Sequence, residues 1–198
     1  MCSSDLGAHR KQRGGMMAAL MQPFQPLLVK FGGNSELKYV AAAESAGISR
    51  TLVGETLFSG LYLNELLTRL LPKFDAAPTL FAAYGDAIEV ISTTTASELT
   101  LRRFALLLLE ELGYQIQWQR AFEERPIQQT AHYCYQPDRG FLPSGEADGS
   151  LVISGVQLLT LADWQVSGCA IDETCQAKLK GIMRLAIDRK STRLNSSH

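Results

Sequence analysis

The chain contains 198 residues, of which 46% are hydrophobic and 20% are charged, and its formal net charge is −1. This composition is that of a folded domain with a sizeable core, so it excludes a disordered tail. No apolar run approaches the roughly 20 residues that a membrane-spanning helix needs. The four cysteines are scattered rather than paired, which excludes a disulfide-stapled fold and indicates reduced thiols in a cytoplasmic protein.

Positive charge is concentrated towards the N-terminus. Residues 9–50 carry six basic residues against two acidic ones, whereas residues 51–189 lean acidic. The basic residues are Arg10, Lys11, Arg13, Lys30, Lys38 and Arg50. A basic end on an acidic body is typical of a segment that contacts phosphate groups, and a solvated basic loop is the alternative.

The two ends lack the patterns of a packed domain. Residues 1–8 show no periodicity, and the polar segment 190–198 holds a single apolar residue. We therefore expect residues 1–8 to be a non-native leader and residues 190–198 to be a non-native tail.

A β-hairpin is the first predicted element. Residues 20–31 and 36–46 have strand-like composition, and the Gly/Asn/Ser cluster between them is typical of a turn. Pro23 and Pro26 place the first strand at a sheet edge or a bulge, because proline cannot donate a ladder hydrogen bond.

Helical patterns dominate from residue 51 onwards. The first predicted helix, Thr56–Leu71, is apolar almost all round and is expected to be central and buried. Capping-box spacings open the third helix at 95–98 and the fourth at 154–157, and Asp172 is placed to cap the fifth. The predicted helices span residues 56–71, 75–91, 95–113, 154–164 and 173–189, the last with a buried stripe of Leu179, Ile182, Met183, Ala186 and Ile187.

Residues 115–150 interrupt the helical pattern with prolines, glycines and aromatic residues, which predicts irregular loop with short strands. His132 and Cys134 would share one face of such a strand and could form half of a metal site. Structural zinc needs four ligands, usually in close pairs, and no second pair follows. A packed thiol and a hydrogen-bonded histidine are therefore the preferred interpretation, with no metal and no cofactor.

Catalytic motifs are absent from the sequence. No phosphate-binding glycine loop, zinc-protease motif or nucleophile elbow occurs. A hydrolase or transferase built on Glu110–Glu111 and Glu123–Glu124 is an alternative, but sequence neighbours do not share a helix face. We therefore expect that the protein is not an enzyme, and we expect both glutamate pairs to be solvated.

Arg102 and Arg103 are the most informative polar residues of the helical region. Neighbouring helical residues point about 100° apart, so the two arginines face different surroundings. Arg103 precedes Glu110 and Glu111, which predicts a solvated ion-pair role. Arg102 shares an apolar stripe with the residues Leu99, Leu106 and Leu109. Such a guanidinium suits the terminal carboxylate of an apolar peptide, although packing its stem and exposing its head to water is the alternative.

Several stretches together resemble RecO, a family of bacterial recombination mediators. They are LMQPFQPLLVKFGGNSELKYVAAAES, LFSGLYLNELLTRLLP and LRRFALLLLEELGY, supported by GFLPS and SGVQLLTL. The resemblance covers about residues 9–189 and implies an α+β, mostly α fold. Residues 9–50 would be the C-terminal remnant of an OB-fold domain, here N-terminally truncated. Residues 51–189 would be a helical RecO C-terminal-type domain, with 115–150 as a zinc-finger-like insertion of the zinc-free branch.

The resemblance implies an adaptor for DNA repair and homologous recombination in the RecFOR pathway, located in the cytoplasm at the nucleoid. Such proteins bind single- and double-stranded DNA and anneal strands. With RecR, and possibly RecF, they help to load RecA onto DNA coated with single-strand-binding protein (SSB). The implied DNA contacts are Arg10, Lys11, Arg13, Lys30 and Lys38. The implied contacts of the C-terminal peptide of SSB are Arg102, Leu99, Leu106 and Leu109.

A helical protein–protein interaction module without a nucleic-acid role is the alternative function. The net charge of −1 and the acidic helical region favour it. Salt-dependent DNA binding would separate the two hypotheses, because phosphate contacts release counterions.

Overall fold

The computed structural model describes residues 19–34, 38–72, 76–94, 98–145 and 151–195. Within these ranges the fold is mixed, with five helices and two small antiparallel sheets. The elements are β1 (Leu27–Gly32), β2 (Tyr39–Ser45), α1 (Glu55–Leu70), α2 (Pro78–Thr93), α3 (Glu98–Glu111), a 3₁₀ turn (Phe122–Glu124), β3 (His132–Gln136), β4 (Gly140–Pro143), β5 (Val152–Ser154), α4 (Gly155–Ser167) and α5 (Glu173–Asn195).

The predicted hairpin is present, but its first strand is shorter than expected. β1 and β2 pair antiparallel with Val29 opposite Ala43, and the register shifts between Lys30 and Phe31. Both prolines of this segment precede β1, so the chain turns where strand had been predicted. In the described residues this hairpin forms a separate two-stranded sheet, and its assignment to an OB fold stays a prediction.

Helix α1 packs against the body through one face only. Leu63 and Leu70 are 0% and 1% exposed, whereas Phe58 on the opposite face is 72% exposed. The prediction of a helix buried on all sides was therefore wrong. Gly60 allows the close approach of the preceding segment, because a Cβ there would lie 2.5 Å from the Leu52 side chain.

Helices α2 and α3 complete the centre of the helical body. α2 begins with Pro78, a favoured first helical residue, and the predicted start at residue 75 lies outside the described residues. α3 ends at Glu111, and Gly113, the predicted stop, follows two residues later with a left-handed φ of 76°. The amide of Tyr114 donates to the carbonyl of Leu109 at 2.7 Å, which satisfies a terminal carbonyl of the helix. Most of the capping box predicted at 95–98 also lies outside the described residues.

The segment between α3 and α4 forms the irregular insertion that the sequence predicted. Its three short strands pair antiparallel in the order β4–β3–β5. The sheet buries aromatic and aliphatic side chains against the helices, so the insertion shares one hydrophobic core with them. Its most buried residues are Tyr133, Cys134, Phe141, Leu142 and Ile153.

Local capping signals set the starts of the last two helices. The Ser154 hydroxyl accepts from the amide of Gln157 at 3.3 Å, and the Gln157 side chain accepts from the amide of Ser154 at 3.1 Å. Asp172 accepts from the amide of Cys175 at 2.7 Å. Both predicted caps are thus confirmed. The predicted α5 stripe Leu179, Ile182, Met183, Ala186 and Ile187 is buried, and α5 continues to Asn195 rather than ending at 189.

None of the helices seen in the described ranges combines the length and apolar character that crossing a bilayer requires.

Candidate functional site

Arg102 lies at the edge of the core, with 13% of its side chain exposed. Two neighbours predicted to share its stripe are buried: Leu106 is 5% exposed and Leu109 is 0% exposed. Leu99 is partly buried against the same core. Neither Leu106 nor Leu109 lines the cavity beside Arg102, and Leu106 instead lines a separate cavity with Arg103. Their contact with a peptide therefore stays a prediction that the cavity beside Arg102 does not support.

Arg102 lines a cavity of about 380 Å³ between α1, α3 and α5. We call this cavity the basic pocket. Its lining combines apolar side chains with four cations and two carboxylates. The apolar side chains are Tyr62, Leu66, Leu101 and Ile187, the cations are Arg69, Arg102, Lys180 and Arg184, and the carboxylates are Glu65 and Asp188. The pocket lining therefore has an excess of two positive charges beside an apolar surface.

Glu98 does not line the basic pocket, but its carboxylate contacts two of the cations that do. Oε1 of Glu98 lies 3.0 Å from Nη2 of Arg102 and 3.7 Å from Nζ of Lys180. The hydrogen bond from Arg102 is the main reason that the pKa of the Glu98 carboxyl falls below its ordinary value, and the positive charge of Lys180 acts in the same direction. Glu98 is therefore ionised at neutral pH.

The other two cations, like Lys180, are largely exposed. Arg69 contacts Glu65 at 3.2 Å one turn away on α1, and 52% of its side chain is exposed. Arg184 lies 3.8 Å from Asp188 on α5, and 83% of its side chain is exposed. Such exposed pairs are worth little, so both cations can turn towards an incoming anion at small cost.

Helical periodicity explains how the basic pocket forms. Tyr62, Leu66 and Arg69 follow at steps of four and three along α1, so they share one face. Lys180, Arg184 and Ile187 follow the same spacing on α5. Sequence patterns did not single out Arg69, Lys180 or Arg184, because their meeting with Arg102 depends on how three distant helices pack.

Arg103 has a different partner from the one predicted. Its Nη2 donates to the carbonyl of Trp164 at 3.1 Å, and its guanidinium lies 5.3 Å from the Trp164 ring centre. The expectation of a solvated pair with Glu110 and Glu111 was wrong. The last carbonyl oxygens of α4 carry a partial negative charge, and one of them accepts the hydrogen bond from Arg103. The guanidinium is therefore held there and not by the exposed carboxylates of Glu110 and Glu111.

The predicted DNA contacts are only partly described. Arg10, Lys11 and Arg13 lie outside the described residues. Lys30 is exposed on β1, and Lys38 is exposed at the hairpin turn, where its ammonium donates to the carbonyl of Gly33 at 2.7 Å.

The remaining polar candidates have structural roles. His132 is exposed on β3, while Cys134 is 1% exposed and packed inside, as the preferred interpretation of the thiol predicted. Glu123 pairs with Arg125, and Glu124 lies 3.4 Å from Arg120, all at the surface. In the part of the chain that the structure describes, no group of three or more His, Cys, Asp or Glu side chains is arranged to hold a metal ion.

Known proteins of similar sequence identify the family of this chain. The family described as "Recombination protein O C terminal" matches residues 53–163, which include α1 to α3 and most of α4. The DNA repair protein RecO of Pseudomonas paraeruginosa (strain DSM 24068 / PA7) is 41% identical over 175 residues, which cover 87% of this chain and 72% of that protein. The DNA repair protein RecO of Methylococcus capsulatus (strain ATCC 33009 / NCIMB 11132 / Bath) is 43% identical over 159 residues, which cover 79% of this chain and 64% of that protein. The chain therefore belongs to the RecO family of DNA repair proteins.

Proposed function

We propose that the chain is an adaptor in DNA repair and homologous recombination that works by holding partners and carries out no chemistry. The observation that carries this proposal is the basic pocket, a cavity with an apolar lining and four cations around it. Membership of the RecO family supports the repair role.

The partner that fits the basic pocket is the C-terminal peptide of SSB, which is acidic and ends in an apolar residue with a free carboxylate. Its terminal carboxylate would accept hydrogen bonds from Arg102, whose guanidinium is already largely shielded from water. The apolar end would rest on Tyr62, Leu66 and Ile187. The acidic residues before it would meet the more exposed Arg69 and Arg184.

A peptide titration tests this assignment. We expect a fluorescently labelled SSB C-terminal peptide to bind the chain with micromolar affinity. Arg102→Ala should weaken binding by about 10- to 100-fold, because a lost hydrogen bond to a charged group costs about 1.5–3 kcal/mol.

Arg120→Ala is the matched control for this titration. Arg120 is also paired with a glutamate four residues further along the chain, but it lies in the insertion and not at the basic pocket. Binding should be unchanged in this variant. Equal affinity of the wild-type chain and Arg102→Ala would remove Arg102 from the site.

DNA binding is proposed for the basic N-terminal region. Lys30 and Lys38 are exposed on the hairpin, and Arg10, Lys11 and Arg13 precede it in the sequence. Such side chains would contact phosphates of single- and double-stranded DNA with little base readout. Strand annealing and RecA loading onto SSB-coated DNA with RecR, and with RecF as a further partner, would follow from holding DNA and SSB together.

A helical interaction module without a nucleic-acid role remains the second candidate. Two observations favour it: the net charge of −1 and the salt bridge of Arg50 to Glu89 at 3.1 Å. That salt bridge uses one basic residue of the N-terminal region to contact α2. Salt-dependent DNA binding separates the two candidates.

A further inference from the structure

We propose that Glu98, which lies beside the basic pocket, determines the ligand specificity of the pocket: its carboxylate occupies the place on Arg102 and Lys180 that a ligand carboxylate would take, so a ligand binds only by displacing it. This inference rests on the proposed peptide-binding function. The new element is that a carboxylate of the chain itself, that of Glu98, competes with the ligand carboxylate for Arg102 and Lys180.

The geometry of Glu98 is that of a bound anion. A single oxygen, Oε1, is shared by Arg102 on α3 and Lys180 on α5. Two cations of the pocket lining, from different helices, therefore converge on one carboxylate oxygen beside the pocket. A terminal carboxylate of a peptide would meet the same two donors, because it has the same chemistry and size.

Glu98 is more exposed than Arg102, which indicates that Glu98 is the partner that moves when a ligand binds. The Glu98 side chain is 56% exposed, whereas Arg102 is 13% exposed. Glu98 thus covers the guanidinium from the solvent side. It can swing into water when a ligand arrives, since an exposed carboxylate is readily hydrated and an exposed ion pair contributes little.

Rotation of the Glu98 side chain is sufficient for this movement. The side chain turns about its own bonds, so no backbone hydrogen bond of α3 is broken. Arg102, one turn further along, is largely enclosed and stays in place.

A charged competitor makes the pocket selective. A ligand that offers only one carboxylate gains little by replacing Glu98, since it exchanges one ion pair for another. A ligand that also brings an apolar end and further acidic residues gains contacts that Glu98 cannot supply. Glu98 therefore disfavours small carboxylates and favours acidic peptides with an apolar C-terminus.

Removing the charge of Glu98 tests the inference. The probes are two synthetic peptides of identical sequence, three aspartates followed by two apolar residues, one ending in a free carboxylate and the other in an amide. In Glu98→Gln we expect the free-acid peptide to bind about 3- to 10-fold more tightly than in the wild-type chain, the range of a removed competing ion pair near the surface. The amide peptide should gain less, so the acid-to-amide affinity ratio should rise.

Glu111→Gln is the control for the change in net charge. Glu111 is an exposed carboxylate at the opposite end of the same helix, away from the contact of Glu98 with Arg102 and Lys180. Its replacement should change the affinity of either peptide by less than about 2-fold, as expected for a distant surface charge. A thermal melt of each variant checks that the fold is retained.

The outcomes separate this inference from the proposed function. Unchanged or weaker acid-peptide binding in Glu98→Gln would overturn the competitor role, even if Arg102→Ala weakens binding as proposed. A peptide that binds the wild-type chain and Arg102→Ala equally would overturn the proposed site itself. If neither the wild-type chain nor Glu98→Gln binds the acid peptide, both statements fall.

Discussion

The contact of Arg103 with the end of α4 predicts a measurable loss of stability in Arg103→Ala. The variant loses the hydrogen bond to the Trp164 carbonyl and the stacking on the Trp164 ring. Each interaction is worth about 0.5–2 kcal/mol when partly exposed. The same carbonyl also accepts from the amide of Gly168 at 2.9 Å, so it is not left without a partner. We therefore expect a loss of about 1–2 kcal/mol, towards the lower part of the combined range.

Urea unfolding followed by circular dichroism measures this loss of unfolding free energy. Arg103→Lys should lie between the wild type and Arg103→Ala, because lysine retains the charge and loses the planar fork. A double-mutant cycle between Arg103→Ala and Glu110→Gln should give a coupling energy below about 0.3 kcal/mol, because the Arg103 guanidinium is bonded to Trp164 and not to Glu110. A coupling of about 0.5 kcal/mol or more, with a small total loss, would restore the solvated ion pair that the sequence had suggested.

Two further predictions concern the start of α5 and the hairpin. The pKa of Asp172 is lowered, first by the hydrogen bond from the Cys175 amide and then by the Thr174 hydroxyl. Its stabilising contribution should therefore be complete above the ordinary pKa of aspartate and be lost as the pH falls through the lowered value. Thermal midpoints between pH 7 and pH 2 should fall less steeply in Asp172→Asn, and parallel curves would contradict this. For DNA, log K should fall linearly with log salt, and Lys30→Ala and Lys38→Ala should each reduce the slope by about 1. A DNA affinity that does not change with salt concentration would favour the helical protein–protein interaction module.

Local sequence signals predicted much of the helical part of the fold. The capping box at Ser154, the cap at Asp172 and the end of α3 just before Gly113 depend on contacts within a few residues. The buried stripe of α5 depends only on helical periodicity. Each of these features was predictable because nearby residues decide it.

Features that depend on packing between distant segments were not predictable in the same way. The sequence indicated Arg102 as an anion-binding residue, but it did not indicate Arg69, Lys180 or Arg184 as its neighbours. Arg103 was assigned to carboxylates on its own helix, whereas its partner is 61 residues away at the end of α4. The apolar outer face of α1 was taken as buried because composition alone does not show which side of a helix has a partner.

The most direct test of the account maps where the acidic peptide binds. Amide chemical shifts of the isotope-labelled chain would be followed during titration with the SSB C-terminal peptide. We expect the largest shifts around Tyr62, Arg102 and Lys180, on the three helices that line the basic pocket. Saturating shifts confined to the hairpin or the β3–β5 sheet, or the absence of any shift at millimolar peptide, would contradict it.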